Sequence, residues 1–389
     1  MIKIGVFGGS FDPIHRSHVR VIEESIRQLK LDKILVMPTA NNPWKGSTGA
    51  TKQQRLAMLE IALKRYKNVE ICRYEIDQDS SKKNYTIDTI RYLKKIYPND
   101  QLYFMMGMDQ ASLYHKWIAA KELSQLAQLV VFDRIGYQIN DNLDKYNFIH
   151  LDLVASDDAS NNIRNGALHA LNPEVLKYIV NNGIYLETIV KNKMSLKRYR
   201  HTVSMAHLAK EIALANNLDG RKAYVAGMLH DIAKEMPHDE AVVIMQKNYP
   251  DYLNKPEAVW HQWLSEYVAK NEYLVDDPEI LQAIRHHTTA SLYMSKLDMC
   301  IYEADKYDPS RDYDSSKKIA LCKKDVVAGF KGCLQDFYDF SHEKGRKIDE
   351  CFFEIYNKYA KVIFQDHQLN PHFLQHIQIT IDAKPPLVY

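Results

Sequence analysis

IKIGVFGGSFDPIHRSH, residues 2–18, decides how the first half of the chain is built. An apolar strand runs without a polar break into Gly8 and Gly9, and a helix begins near Ser17. Glycines there let the backbone approach a ligand closely, and the helix start offers free N–H groups to an anion. Polyphosphate is the natural occupant. His15 and His18, three residues apart at the helix start, can both donate hydrogen bonds to charge developing at phosphorus. Taken as a bare HxxH pair after a glycine turn, two ordinary surface or core histidines would account for the pattern better.

Working outward, IKIGVF, KILVMP, VEICRYE, QLYFMMG and LVVFDR read as short buried strands up to about residue 187. Helical stretches lie between them. Residues 18–30 place Val19, Ile22, Ile26 and Leu29 on one face, and TKQQRLAMLEIALKRY repeats the helical period after a Thr51 cap. Strands alternating with helices predict an α/β domain, a doubly wound parallel sheet of Rossmann-like type with its ligand beyond the carboxyl ends of the strands. From about residue 190 the strand signal stops and long segments of helical period take over, so an all-helical domain is expected to follow. The boundary is placed near residues 181–195, with Gly183 ending one helix and Ser195 capping the next. Three segments result: 1–187, 195–312, and a helical extension over 313–389.

Composition narrows the function classes. Of 389 residues, 51 are Lys or Arg and 49 are Asp or Glu, a formal charge of +2 that is too balanced for a dedicated nucleic-acid or membrane surface. Phosphate chemistry must then be local. The five cysteines are scattered without a CxxC pair, which suggests neither a disulfide framework nor a cysteine zinc site. No signal-peptide core and no run approaching the roughly 20 apolar residues of a membrane span is present. A soluble, cytoplasmic protein is expected.

The full string GGSFDPIHRSH resembles the (H/T)xGH signature of the nucleotidylyltransferase superfamily, and GGSFDPIH in particular is similar to the bacterial nicotinate-nucleotide adenylyltransferases of NAD synthesis; Ser17 stands where glycine is usual. That resemblance implies that Gly8, Gly9, Ser10 and Phe11 line the substrates and that His15 and His18 are catalytic. PTANNPWK resembles the family's PxxxPHK loop, with Lys45 in the phosphate-binding position and Trp44 where His is common. NYTIDT resembles the segment that sets Thr86 near the pyridine nucleotide. GMDQASLYHKW resembles the element in which Asp109 binds ATP ribose and Trp117 stacks on the nicotinate ring. DDASNNIRNG resembles ISSTxIR, keeping Ser160 and Arg164 for the ATP phosphates while Ala159 and Asn161 depart from it.

The later half holds RYRHTVSMAHLA, AGMLHDIAKE, AVWHQWLSEYVA, AIRHHTT and IYEADKYDPSR. The pair His230–Asp231 is central, because a metal at a helix end or between packed helices can be reached by both. Candidates in the order H…HD…H…H…D resemble the HD-domain metal-dependent phosphohydrolases, and LHDIAKE, AIRHHTT and EADKYDPSR look like their bacterial symmetrical diadenosine-tetraphosphatase branch. The resemblance implies that His201, His230, Asp231 and Asp305 hold one metal, with Asp231 bridging to a second held by His261 and His287. His286 competes for the last role, and His287 is preferred because it precedes Thr288. Asp231 and Lys234 are the expected catalytic groups, Arg311 binds substrate, and Ala290 stands where glycine commonly follows the two threonines. Imidazole and carboxylate suit iron or manganese.

The chain therefore reads as a bifunctional enzyme. Its first part would transfer AMP from ATP, with Mg²⁺, to nicotinate mononucleotide, giving deamido-NAD and pyrophosphate. Its second would hydrolyse diadenosine tetraphosphate or a related nucleotide to two ADP at a dinuclear Fe or Mn site. The alternatives are adenylylation of another phosphate ester, such as phosphopantetheine or FMN, and an HD domain that is another nucleotide phosphohydrolase or a metal-bound sensor without turnover. Metal identity, nicotinate versus nicotinamide preference and oligomeric state stay open, a homo-oligomer being admitted.

Overall fold

A computed structural model describes residues 1–40, 49–78, 85–138, 140–155, 160–311, 313–346 and 348–360. It divides into two compact units, Met1–Ile179 and Val180–Tyr389.

The first unit is a six-stranded, wholly parallel sheet of order β3-β2-β1-β4-β5-β6. The strands are β1 (Lys3–Gly9), β2 (Lys33–Pro38), β3 (Val69–Ile71), β4 (Gln101–Gly107), β5 (Gln128–Arg134) and β6 (Ile149–Ala155). Between and after them run α1 (Arg16–Leu29), α2 (Lys52–Leu63), α3 (Thr86–Ile96), α4 (Met108–Ala111), α5 (Ala120–Leu126), α6 (Asn142–Lys145), α7 (Ser160–Arg164) and α8 (Pro173–Asn181). On one face Ile4, Val6, Leu35, Leu102, Phe104 and Leu129 pack with Ile87, Ile90 and Leu93 of α3 and Leu123 of α5. Residues of the opposite parity, Ile34, Val36, Met105 and Val130, are equally buried. Both faces are covered, which is why the strands read as continuous apolar runs. The order reverses between β1 and its neighbours β2 and β4, so a crevice opens beyond Gly9 and Gly107.

Three local expectations change. β3 is only three residues long, because residues 74–77 fold into turns. β6 was not expected: IHLDLVA alternates apolar with polar, as befits an edge strand, and Gln28 of α1 hydrogen-bonds both the N–H and the C=O of Asp152. In α1 the buried residues are Ser17, Val21, Ile22 and Ser25, so the stripe turns away from Val19, Ile26 and Leu29. Thr51 does cap α2, accepting from Gln54 N at 3.2 Å.

The second unit is helical: α9 (Leu186–Lys191), α10 (Leu196–Ala215), α11 (Gly220–Leu229), α12 (His238–Asn248), α13 (His261–Asn271), α14 (Pro278–His286), α15 (Lys296–Tyr307), α16 (Ser316–Lys324), α17 (Val326–Glu343) and α18 (Glu350–Ala360). Gly183 takes φ +67° just after α8, and Ser195 Oγ accepts from Arg198 N to start α10. Gly227 lets α11 seat against Ala206 of α10, since a Cβ there would lie 2.7 Å from Ala206 Cα. α15 is buried along nearly all its length, including Cys300, Ile301 and Ala304 at 0% exposure. Among the described residues no helix is long and apolar enough to cross a membrane.

Candidate functional sites: a nucleotide cradle and a metal centre

The cradle forms at the carboxyl end of β1. Among the described residues a Cβ on Gly8 would meet nothing within 4 Å, whereas one on Gly9 would press on the Phe11 ring at 3.1 Å. Gly8 therefore faces open space and Gly9 a packed aromatic. Phe11 is buried with φ +45°, left-handed backbone that an L side chain adopts at a cost, and its ring meets Phe7 and His18 edge-on. His15 caps α1, and its ring centroid lies 3.7 Å from that of His18. His15 N–H donates to His18 Nδ1 at 3.3 Å, which leaves the His18 proton on Nε2, the donor end. The Ser10 C=O accepts from Arg55 Nη1 at 2.7 Å.

Two later segments close on the same loop. Ser160 Oγ donates to Pro13 O at 3.1 Å, and Arg164 Nη1 donates to Asp12 O while lying 3.7 Å from Asp12 Oδ2. Helix α7 is thus clipped to the segment that carries His15. Asp109 follows β4, the sheet neighbour of β1; its Oδ2 lies 3.2 Å from Arg134 Nη1, and its Oδ1 is buried without a hydrogen-bond partner among the described residues. Trp117 is half-buried against Phe104 and Tyr114, and Thr86 opens α3. Lys45 and Trp44 lie outside the described residues.

Arg55 was not anticipated. Almost wholly buried, its guanidinium donates to Ser10 O, to Thr39 O at 2.8 Å and to Ala40 O at 3.3 Å, tying the loop after β1 to the loop after β2. The cue was available, since Arg55, Leu59 and Ala62 share one helical stripe, where a charge is buried only with partners.

The second site gathers residues from α10, the end of α11, the start of α13, the end of α14, and α15. Asp231 stands at its middle. Its Oδ2 faces His230 Nε2 at 3.5 Å, and its Oδ1 faces His261 Nε2 at 3.4 Å and His287 Nε2 at 3.5 Å. Two donor groups result, His201–His230–Asp231 and Asp231–His261–His287, the ligand atoms of each lying within 4.8 Å of one another. Asp305 adds an oxygen 3.2 Å from His201 Nε2. His286 turns away, its Nδ1 3.0 Å from Asp298 Oδ2.

Each of the four rings is steered by its other nitrogen. His201 Nδ1 lies 2.7 Å from Asp308 Oδ2, His230 Nδ1 2.6 Å from Gly227 O, His261 Nδ1 3.0 Å from Ala258 O and His287 Nδ1 2.7 Å from Ile284 O. The Nε2 atom of His230 is buried with no hydrogen-bond partner among the described residues. Imidazoles anchored through Nδ1 with Nε2 turned to a shared centre are the arrangement of metal ligands, so these residues fit divalent cations. The electrostatics agree. Burial and the neighbouring His287 push His261 down to about 2, and burial pushes His287 down, keeping both as lone-pair donors. Burial alone would raise Asp231, yet the adjacent His230 and His287 outweigh it and hold the carboxylate well below its ordinary range. His201 is the exception: burial is outweighed by Asp305 and Asp308, which raise it to about 9, so with no cation bound its ring holds both protons.

Cations crowd the rim. Lys234 Nζ lies 3.0 Å from His261 Nε2 and is drawn below the ordinary lysine value chiefly by burial. Arg311 Nη2 reaches Asp305 Oδ1 at 3.0 Å. Three further residues were not anticipated: Asp308 behind His201, Lys306 2.9 Å from Asp305, and Arg198 2.5 Å from Asp231 Oδ2. The carboxylates that Arg198 and Lys306 meet, Asp231 and Asp305, are not helically spaced from them, so neither pairing is marked in the sequence.

A parallel nucleotide-handling sheet followed by a helical histidine–aspartate centre defines a nucleotidyltransferase joined to an HD-type unit. A cytidylyltransferase-like family model matches residues 6–212, and an HD domain model matches residues 198–310. A Mycoplasma genitalium protein named "Probable nicotinate-nucleotide adenylyltransferase/Ap4A hydrolase" is 35% identical over 316 residues, 79% of this chain and 88% of its own length. The Mycoplasma pneumoniae protein of the same name is 32% identical over 343 residues, 85% of this chain and 97% of its own. A crystal structure of a "predicted HD superfamily hydrolase involved in NAD metabolism" from Clostridium acetobutylicum is 26% identical, covers 46% of this chain and 96% of that one, and has a TM-score of 0.41. The chain belongs to the family of two-unit nicotinate-nucleotide adenylyltransferase/Ap4A hydrolase proteins represented by the Mycoplasma relatives.

Proposed function

We propose that this chain carries two activities: adenylyl transfer from ATP to nicotinate mononucleotide in its first unit, and hydrolysis of diadenosine tetraphosphate to two ADP in its second. In the first reaction a 5′-phosphate oxygen of the mononucleotide attacks the α-phosphorus of ATP, bound with Mg²⁺, and pyrophosphate departs. His15 and His18 donate to the phosphate oxygens, and Arg164, with Lys45 as the family pattern implies, balances the charge of pyrophosphate. Gly8, Gly9, Ser10 and Phe11 shape the cradle, Ser160 holds it, Asp109 takes the ATP ribose, and Thr86 and Trp117 accommodate the pyridine ring.

In the second unit His201, His230, Asp231 and Asp305 would hold one cation and Asp231, His261 and His287 another, iron or manganese by their nitrogen and oxygen ligands. Such cations supply Lewis acidity toward phosphoryl oxygen and acidify water. The chain's own groups do the rest: Asp231 fixes the spacing of the pair, Lys234 offers a proton or charge at the centre, and Arg311 steadies the polyphosphate. A cytoplasmic setting is part of the reading, supported by five free cysteine thiols.

One observation carries the proposal: the two oxygens of Asp231 are divided between two histidine sets. The deciding experiment quantifies metal on purified full-length protein and follows products from ATP with nicotinate, nicotinamide and flavin mononucleotides, and from diadenosine tetraphosphate. About two first-row cations per chain, deamido-NAD and two ADP are expected. Binding of the dinucleotide without release of ADP would overturn the hydrolase half, and preference for another phosphate ester would overturn the transferase half.

A further inference from the structure

The extension after residue 312 is where the sequence assigns no chemistry, and its last described helix is bonded to two segments that flank the second site. Helix α18 is fastened by Phe352, Ile355, Tyr356 and Ala360, all buried, with Phe352 against Phe337 of α17 and Tyr359 edge-on to Phe330 at 5.4 Å. At its start, Asp349 accepts from Lys255 Nζ at 2.9 Å. The C=O of Lys255 in turn accepts from Trp260 Nε1 at 2.9 Å, and Trp260 is the residue before His261. At its end, Tyr359 Oη donates to Leu292 O at 3.0 Å and accepts from Met294 N at 2.9 Å, while Lys358 Nζ also donates to Leu292 O and sits 4.4 Å from the Tyr293 ring centre.

Those contacts fall on the 288–294 segment, which follows His287 directly. Thr288 Oγ1 lies 2.8 Å from His261 Nε2, and Thr289 is pinned by buried Gln262. Ala290 has φ +58°, a left-handed conformation that disfavours an L side chain. A segment holding such a residue next to ligating side chains keeps its shape only if its surroundings impose it. The bonds from α18 hold the far end of that segment, at Leu292 and Met294.

We infer that α18 is a positioning brace for the half of the metal centre made by His261 and His287: Asp349 fixes the approach to His261, and Tyr359 with Lys358 fixes the segment after His287. This rests on the metal-centre reading above. Tyr359 touches no reacting atom; it acts through the backbone of 292–294.

The test uses the full chain. Tyr359→Phe keeps the ring on Phe330 and removes only the hydroxyl. Amide hydrogen exchange of wild type and variant should differ within 288–294 and nowhere else in the second unit. Affinity for the more weakly held of two cations should fall by about tenfold, the range seen when groups behind a ligand are lost, with the other retained. Adenylyl transfer by the same chain should be unchanged. Asp349→Asn, at the exposed end, should instead raise exchange around 255–261. Unaltered exchange at 288–294 and unaltered metal affinity in Tyr359→Phe would overturn the brace, as would exchange rising evenly through the unit. Wild-type protein that takes up no metal would sink the metal-centre reading instead, and the exchange comparison would still decide the brace.

Discussion

Ala290 shows how one side chain can work against its own backbone. Its φ of +58° suits glycine, the residue common at that position in the tetraphosphatase branch that the second unit resembles. Replacing it, Ala290→Gly, should stabilise the second unit by about 0.5–1 kcal/mol, the left-handed cost relieved less the added freedom of the unfolded chain. A denaturant midpoint shift with unchanged slope would measure it. Arg55 is the converse, a charge the fold depends on. Arg55→Met strands three carbonyls at the mouth of the cradle and should cost about 3 kcal/mol, with adenylyl transfer falling more than hydrolysis. Assaying both activities on one preparation separates the local effect from general unfolding. Glu75 carries a pH signature. Burial raises its carboxyl above the ordinary 4.5, and the hydrogen bond from Thr89 at 2.7 Å only partly opposes this. The folded state then holds the proton more tightly than the unfolded one. Its contribution is present below 4.5 and is lost as pH climbs through the raised folded value. Glu75→Gln should flatten that decline, and melting curves of both proteins across acidic to neutral pH would show it.

At the scale of elements, the contact between α10 and α11 governs the metal centre, because α10 carries His201 and α11 delivers His230 and Asp231. Gly227 sits where a methyl group would strike the backbone of Ala206. Gly227→Ala should push the helices apart, destabilise the second unit by about 2 kcal/mol and weaken metal binding, measurable by calorimetric titration with manganese. The sequence showed the sheet and the ligand residues because both leave periodic or local marks: buried parallel strands make unbroken apolar runs, and histidines are scarce enough to stand out. It hid β6, whose polar residues face solvent at an edge, and it hid Asp308 and Arg198, whose partners lie far away in the chain. Ring orientation was also hidden. That Nδ1 of His230 and of His287 is tied back while Nε2 faces inward follows from the helix ends at Gly227 and Ile284, where a carbonyl is free. The bonds from α18 to residues 292–294 have no local signature at all.

For the whole molecule, the two units differ in how they would meet phosphate, and that difference can be read out with a chelator. The first relies on imidazoles, guanidinium and backbone, with Mg²⁺ entering as part of its ATP. The second presents four imidazoles and two carboxylates around a buried centre, a set that favours first-row transition cations over Mg²⁺, which prefers oxygen ligands and keeps its waters. Protein stripped with EDTA and returned to Mg²⁺ alone should recover adenylyl transfer in full while hydrolysis of diadenosine tetraphosphate stays below about a tenth of its starting rate. Adding Fe²⁺ or Mn²⁺ should then restore hydrolysis and leave transfer unaltered. His15→Ala should give the reverse pattern, transfer falling by about a hundredfold or more with hydrolysis intact. Recovery of hydrolysis with Mg²⁺ alone would mean that the imidazoles do not ligate the working cation, and a loss of both activities in His15→Ala would mean that the two sites are coupled.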